Sequence, residues 1–126
     1  MKTIIAGSRT VTKEQVFEAI DRCFWKDAII TVVSGTAKGA DKYGEDWAKE
    51  HWVAIEKYPA NWKKYGKRAG YIRNTEMAEN ADRLIAVWDG KSKGTFNMIE
   101  TALLMRMPTM IHRTDINKTE YFFTKK

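Results

Sequence analysis

The chain carries one cysteine, two prolines and two histidines in 126 residues. A lone thiol, Cys23, forms no disulfide within the chain and excludes a cysteine-rich zinc site. His51 and His112 are too few and too isolated for a structural metal centre, so no metal and no resident cofactor is expected. A free thiol without a disulfide framework suits the reducing cytoplasm, which is the expected location. With so little proline and only eight glycines there is no room for a Pro/Gly-rich linker. No apolar run approaches the ~20 residues of a membrane span. The apolar part of residues 1–7 is too short for a secretory signal. No membrane association is expected.

What is present is globular. Hydrophobic residues make up 44% and charged residues 30%, too much of the former for a disordered chain. The length corresponds to one domain. Twenty-two lysines and arginines against sixteen acids leave a formal charge of +6. That balance suits nucleotides, phosphates or nucleic acid as partners, although a lysine-rich solvated surface produces the same balance.

Short β-branched runs alternate with helical periods. Residues 3–6 are apolar and end at a polar break, as a buried strand does. Thr12 and Gln15 stand three apart in a capping-box pattern, ahead of a stripe of Val16, Phe17, Ile20, Cys23 and Phe24. Cys23 on that stripe is expected to be a small core residue. Residues 29–33 form an apolar strand of the kind covered on both faces. A helix with Ala40, Tyr43, Gly44, Trp47, Ala48 and His51 inward follows, then a weaker strand over 53–56. A helix over 66–80, a strand over 83–88, an apolar helix from Phe96 to Met107 and a strand over 108–112 complete the order. Five strands alternating with helices predict an α/β fold in three layers, with a mostly parallel five-stranded sheet and helices on both faces. The domain is expected over 1–113. The tail 114–126 is expected to add an edge strand through Tyr121, Phe122 and Phe123.

In such a sheet ligands bind beyond the carboxyl ends of the strands. Three small-residue loops leave that edge, at 7–10, 34–41 and 89–95. Glycine lets a backbone approach a ligand, and the first amides of a helix attract anions. The candidate ligand-binding residues are Gly7, Ser8 and Arg9 in the first loop. The second loop supplies Ser34, Gly35, Thr36, Lys38, Gly39 and Asp41. The third supplies Asp89, Gly90, Ser92, Lys93, Gly94 and Thr95. Neither a Walker A loop nor a G-x-G-x-x-G fingerprint occurs. Lys63, Lys64, Lys67 and Arg68 add positive charge before the third helix, where Trp62 and Tyr65 offer a base-stacking surface or a lid on the sheet edge. Arg73 falls between Ala69 and Met77 at i, i+4 spacing, on a face that packs inward or lines a cleft, where its charge needs a carboxylate or a ligand phosphate as partner. Arg73, Glu100, Asp41 and Asp89 are the candidates for catalytic work, and no triad motif accompanies them. Asp41 has a second reading as a helix cap.

Residues 5–9, 34–41, 73–77 and 89–95 together resemble the SLOG superfamily of Rossmann-like domains, which includes the Lonely Guy and DNA-processing protein A families. Over about residues 3–112 the chain is most similar to the small stand-alone YspA/YpsA-related members of bacteria and their phages. The resemblance implies a nucleotide or nucleotide-derived ligand at the strand ends. Lonely Guy enzymes cleave the N-glycosidic bond of nucleoside monophosphates with an Arg and a Glu. Arg73, with Met77 in register, matches their R-K-x-x-M stretch. Their G-G-x-G-T-x-x-E motif has Met98 at the Glu position here, and Glu100 lies about 200° further round the helix. The expectation is therefore a binding module, a sensor or sequestering protein for a phosphoribosyl, ADP-ribose-like or signalling nucleotide, rather than an enzyme. A hydrolase of N-glycosidic or phosphate linkages is the alternative, and single-stranded nucleic-acid binding ranks third. The apolar wrap of the last helix leads us to expect a homodimer.

Overall fold

The computed structural model describes residues 1–123, so the last three positions of the tail, 124–126, lie outside the described residues. Six strands form one sheet in the order β3-β2-β1-β4-β5-β6. They are β1 (Lys2–Gly7), β2 (Thr31–Ser34), β3 (Ala54–Lys57), β4 (Arg83–Trp88), β5 (Thr109–Arg113) and β6 (Lys118–Phe122). The first five are parallel, and β6 returns antiparallel to β5 with His112 opposite Thr119. The sheet thus has six strands rather than five, because the chain after Arg113 folds back onto the edge of β5. The helices are α1 (Lys13–Arg22), α2 (Ala40–Glu50), α3 (Trp62–Tyr65), α4 (Ala69–Glu79) and α5 (Lys93–Leu104).

The alternation of side chains along the parallel strands creates two cores. Ile5, Val32, Ile85 and Met110 meet Val16, Ile20 and Trp47 of α1 and α2 on one face. Ile4, Val33, Leu84 and Ala86 meet Met77, Met98 and Ala102 of α4 and α5 on the other. The result is a three-layer Rossmann-like α/β fold. Thr12 caps α1 as its spacing predicts: its hydroxyl accepts from the Gln15 amide at 3.1 Å, and Gln15 Oε1 accepts from the Thr12 amide at 2.9 Å. Cys23 is buried, and burial pushes its thiol up to about 11, as befits a core residue.

Several expected bounds shift for local reasons. β2 starts at Thr31, because Ile29 ends a 3-10 turn and Ile30 is exposed. The helix expected over 66–80 begins at Ala69. Gly66, with φ +59°, separates the short α3 from a 3-10 turn over Gly66–Arg68 that leads into α4. His51 lies at the exposed C-cap of α2 and stacks on Trp47 at 4.2 Å between ring centroids.

Gly7 fixes how closely β1 approaches its neighbours. A Cβ there would lie 2.0 Å from the Val87 carbonyl oxygen and 2.8 Å from Ala40 Cβ. Both obstacles are close-packed, one of them backbone, so neither yields cheaply. We predict that Gly7→Ala lowers stability in urea denaturation by about 3 kcal/mol. An unchanged midpoint would show that the junction of β1, β4 and α2 is looser than described.

Candidate functional site

The strand order reverses between β1 and β4, and the crevice of an open α/β sheet lies outside the carboxyl ends of strands at such a point. A cavity of about 620 Å³ opens there. It lies on the α4/α5 side of the sheet, with Ala6, Met77 and Met98 as its apolar floor. All three glycine-bearing loops reach it, and its volume is that of a small-molecule site.

Ser8 joins the three loops. Its amide donates to the Val87 carbonyl at 3.0 Å and its carbonyl accepts from the Ala40 amide at 3.2 Å. Its hydroxyl accepts from the Asp89 amide at 3.0 Å and lies 3.4 Å from Thr95 Oγ1. The first turns of α2 and α5 are therefore clasped on either side of one residue. Asp89 then shapes the third loop. Its carboxylate accepts from the amides of Lys91 (2.9 Å) and Ser92 (2.8 Å) and from the Thr10 hydroxyl (2.8 Å). Desolvation works against its charge, but the Ser92 and Lys91 amides and the Thr10 and Ser8 hydroxyls outweigh it and bring the carboxyl down to about 2. Trp88 pins the same loop through Nε1 on the Ser92 carbonyl at 3.1 Å.

Nine of the sequence candidates line the cavity: Gly7, Arg9, Gly35, Thr36, Asp41, Arg73, Ser92, Gly94 and Thr95. Others do not. Ser8 and Ser34 are buried in the scaffold, and Ser34 donates to Glu45 Oε2 at 2.6 Å. Lys38 and Lys93 are exposed, and neither side chain lines the cavity. Gly39, with φ +79°, packs against the backbone of Arg9, while Gly90 packs against Asp115 and Arg113. Among the catalytic candidates, Asp89 is committed to its loop and Glu100 is exposed away from the cavity, so only Arg73 and Asp41 reach it. Residues not among the candidates complete the wall. Lys67, Arg68 and Trp62 come from the segment already noted as basic and aromatic, and Tyr71 from the first turn of α4. Asn74 carried a helical signal, standing three before Met77 on the inward stripe. Its Oδ1 accepts from Arg73 Nε at 3.0 Å, while its Nδ2 donates to Asn97 Oδ1 at 3.0 Å and the Gly94 carbonyl at 3.3 Å.

In the second loop three amides are used internally: Thr36 donates to Ser34 Oγ, Ala37 to Asp41 Oδ2 and Ala40 to the Ser8 carbonyl, while those of Gly35, Lys38 and Gly39 have no hydrogen-bond partner among the described residues. At the start of α5 the Lys93 and Gly94 amides have no hydrogen-bond partner among the described residues. Open amides at a positive helix end make an anion site. Arg9, Lys67, Arg68 and Arg73 add four cationic side chains to the lining.

Asp41 opposes them. It is 5% exposed, on the first turn of α2, with the Ala37 amide on Oδ2 at 3.1 Å. Burial raises its carboxyl to about 6 against the Ala37 amide and the charges of Arg73 and Arg9, and neighbouring Glu45 reinforces the rise. Arg73 Nη1 donates to the Gly35 carbonyl, and burial lowers its pKa against the pull of Asp41. A Cβ on Gly35 would sit 2.7 Å from both Arg73 Nη1 and Asp41 Oδ2, so a side chain there would have to displace one of them.

Fold and cavity together define a Rossmann-like domain whose site lies at the carboxyl edge of a parallel sheet. The chain belongs to the YspA, cpYpsA-related SLOG family, whose family model matches residues 1–65. Membership points to a nucleotide-related function. Gene 61 protein of Mycobacterium phage D29 is 34% identical over 118 residues, which cover 86% of this chain and 94% of the relative. No solved structure gives a significant match. Among the described residues no helix is long and apolar enough to cross a membrane, and no cluster of His, Cys, Asp or Glu is suited to a metal.

The raised pKa of Asp41 makes a stability prediction. Between its ordinary value of 3.8 and about 6 the folded chain holds a proton that the unfolded chain has released. The stability carried by that proton is full below this window and is lost as pH rises through 6. Asp41→Asn keeps an acceptor for the Ala37 amide and removes the buried charge. It is predicted to stabilise the protein by on the order of 2 kcal/mol at pH 7.5, with a smaller gain at pH 4.5. Calorimetric or denaturant unfolding of the variant at both pH values checks this, and a loss of stability at pH 7.5 would contradict it.

Proposed function

We propose that the protein is a small cytoplasmic binding module that holds a nucleotide or nucleotide-derived ligand in this cavity, as a sensor or sequestering protein. The observation that carries the reading is the open Gly94 amide at the start of α5, beside a cationic wall in one cavity of ligand size. The ligand phosphate sits at the start of α5, where Thr95 and Ser92 line the wall, and Arg9 and Arg73 balance the remaining charge. Trp62 and Tyr71 at the rim offer flat apolar surface for a base.

Gly94 supplies the test. A Cβ there meets nothing within 4 Å, and an acidic residue in the first turn of a helix is itself favourable. Gly94→Asp is therefore expected to fold normally while placing a carboxylate in the anion site. In a thermal-shift panel of nucleoside phosphates and cyclic nucleotides, the wild-type protein is expected to gain about 4 °C or more at a ligand concentration near tenfold Kd. Gly94→Asp is expected to lose that gain. A panel in which nothing shifts the wild type would contradict the reading.

One observation favours hydrolysis as a second reading. Asp41, with its carboxyl near 6, stands by Arg73 in the cavity, in the protonation range of an acid–base residue. Chromatography of nucleoside monophosphates after incubation with the protein separates the two: unchanged substrate despite measurable binding supports the module.

We also propose that a second copy covers α5. Leu104 is 80% exposed, and Phe96 and Met105 about half exposed, on a helix whose other face is already buried. Light scattering on a sizing column is expected to give a dimer mass, and a monomer at high protein concentration would contradict this.

A further inference from the structure

Asp41 is the anomaly of a cavity otherwise built to attract negative charge. It is buried, lines the cavity and joins no ion pair among the described residues. Its nearest cation is already engaged, since the Arg73 guanidinium donates to the Gly35 carbonyl and to Asn74 Oδ1. Of its two oxygens, Oδ2 takes the Ala37 amide, and Oδ1 has no hydrogen-bond partner among the described residues. That oxygen is not among the buried side-chain atoms left without a partner, so it opens on the cavity as an acceptor that a bound ligand can use. A phosphate does not suit it, because like charges repel. The ligand therefore presents a donor, not an anion, at this end.

Contacts within the scaffold also relate Asp41 to the anion end and to the aromatic rim. Thr95, at the anion end, touches Ser8, and the Ser8 carbonyl holds the Ala40 amide next to Asp41. Gly35 lies between Asp41 and Arg73. Gly70 lies between Arg73 Nη2 and the Trp62 ring, with a Cβ position 3.7 and 3.6 Å from them. The anion end thus adjoins the carboxylate through Ser8 and the Arg73 cation through Asn74, and the Trp62 ring lies across Gly70 from Arg73. In a nucleotide the sugar hydroxyls lie between the phosphate and the base. The group beside the phosphate is the sugar, so its hydroxyls rather than a base amine meet the carboxylate.

We propose, resting on the nucleotide reading above, that Asp41 accepts the sugar hydroxyls and makes the site selective for ribonucleotides over 2′-deoxyribonucleotides. A site built to hydrogen-bond a hydroxyl rejects the analogue without it, because the acceptor is then left buried and unpaired. Asp41→Asn isolates this role. The amide oxygen keeps the Ala37 bond, and the cavity-facing acceptor becomes an NH2 donor.

The experiment is titration calorimetry of the four ribonucleoside 5′-monophosphates and their 2′-deoxy counterparts against wild-type protein and Asp41→Asn. For at least one base, the ribonucleotide is expected to bind wild type at least tenfold more tightly than its deoxy partner. In Asp41→Asn that ratio is expected to fall below threefold. Equal binding of ribo and deoxy forms to wild type would overturn the role of Asp41 and leave the nucleotide reading standing. A preference that survives in Asp41→Asn would overturn it too, since another group would then read the hydroxyl. If no monophosphate of either series binds, both this inference and the nucleotide reading fall.

Discussion

The site depends on the hydrogen bonds of Ser8. This one residue holds β4 through Val87, α2 through Ala40, the third loop through Asp89 and α5 through Thr95. Its position follows from Gly7, the only kind of residue that lets β1 come so near β4 and α2. Without that clasp, three loops from distant parts of the chain would each be an ordinary connection. With it, two helix starts border a single cavity, and the polarity of the cavity follows from which amides remain unused.

That polarity divides the labour between the loops. The second loop ties part of its backbone to itself: the Thr36 amide bonds Ser34 and the Ala37 amide Asp41, and Glu45 holds Ser34 while reaching Lys57 at 3.7 Å. It presents a carboxylate. The third loop is tied by Asp89 and Trp88, which leaves the amides of Lys93 and Gly94 open. It presents donors. Met98, at the position of the Lonely Guy carboxylate, lies in the apolar floor. The one carboxylate in the cavity among the described residues is Asp41, on a different helix and held by different neighbours. Any chemistry of this site would therefore differ in geometry from that of the enzymes it resembles.

Much of this was legible in the sequence because it rests on residue type and period. β4 coincides with the run 83–88, since alternation and burial on both faces leave little freedom. The three loops were visible as small-residue breaks, and Arg73 as a charge on an inward stripe. What was not legible is how each loop uses its hydrogen bonds. Asp89 has the composition of a ligand-binding carboxylate and serves as the organiser of a turn. Ser8 and Ser34 look like phosphate ligands and are buried struts. Glu100 stands at a plausible spacing, yet its helix turns it to solvent. Lys67, Arg68, Trp62 and Tyr71 enter the wall because Gly66 breaks the expected helix, a left-handed turn that no periodicity reveals. An added edge strand was expected from the tail's apolar end, whereas its antiparallel pairing with β5 depends on the partner strand.

The claim that an anion occupies the open start of α5 is tested most directly by amide chemical-shift mapping. Adenosine 5′-monophosphate titrated into isotope-labelled protein is predicted to move the Lys93, Gly94 and Thr95 amides most, with Gly35 and Arg73 following. Shifts confined to exposed lysines such as Lys38 and Lys118, with the α5 amides unmoved, would contradict it.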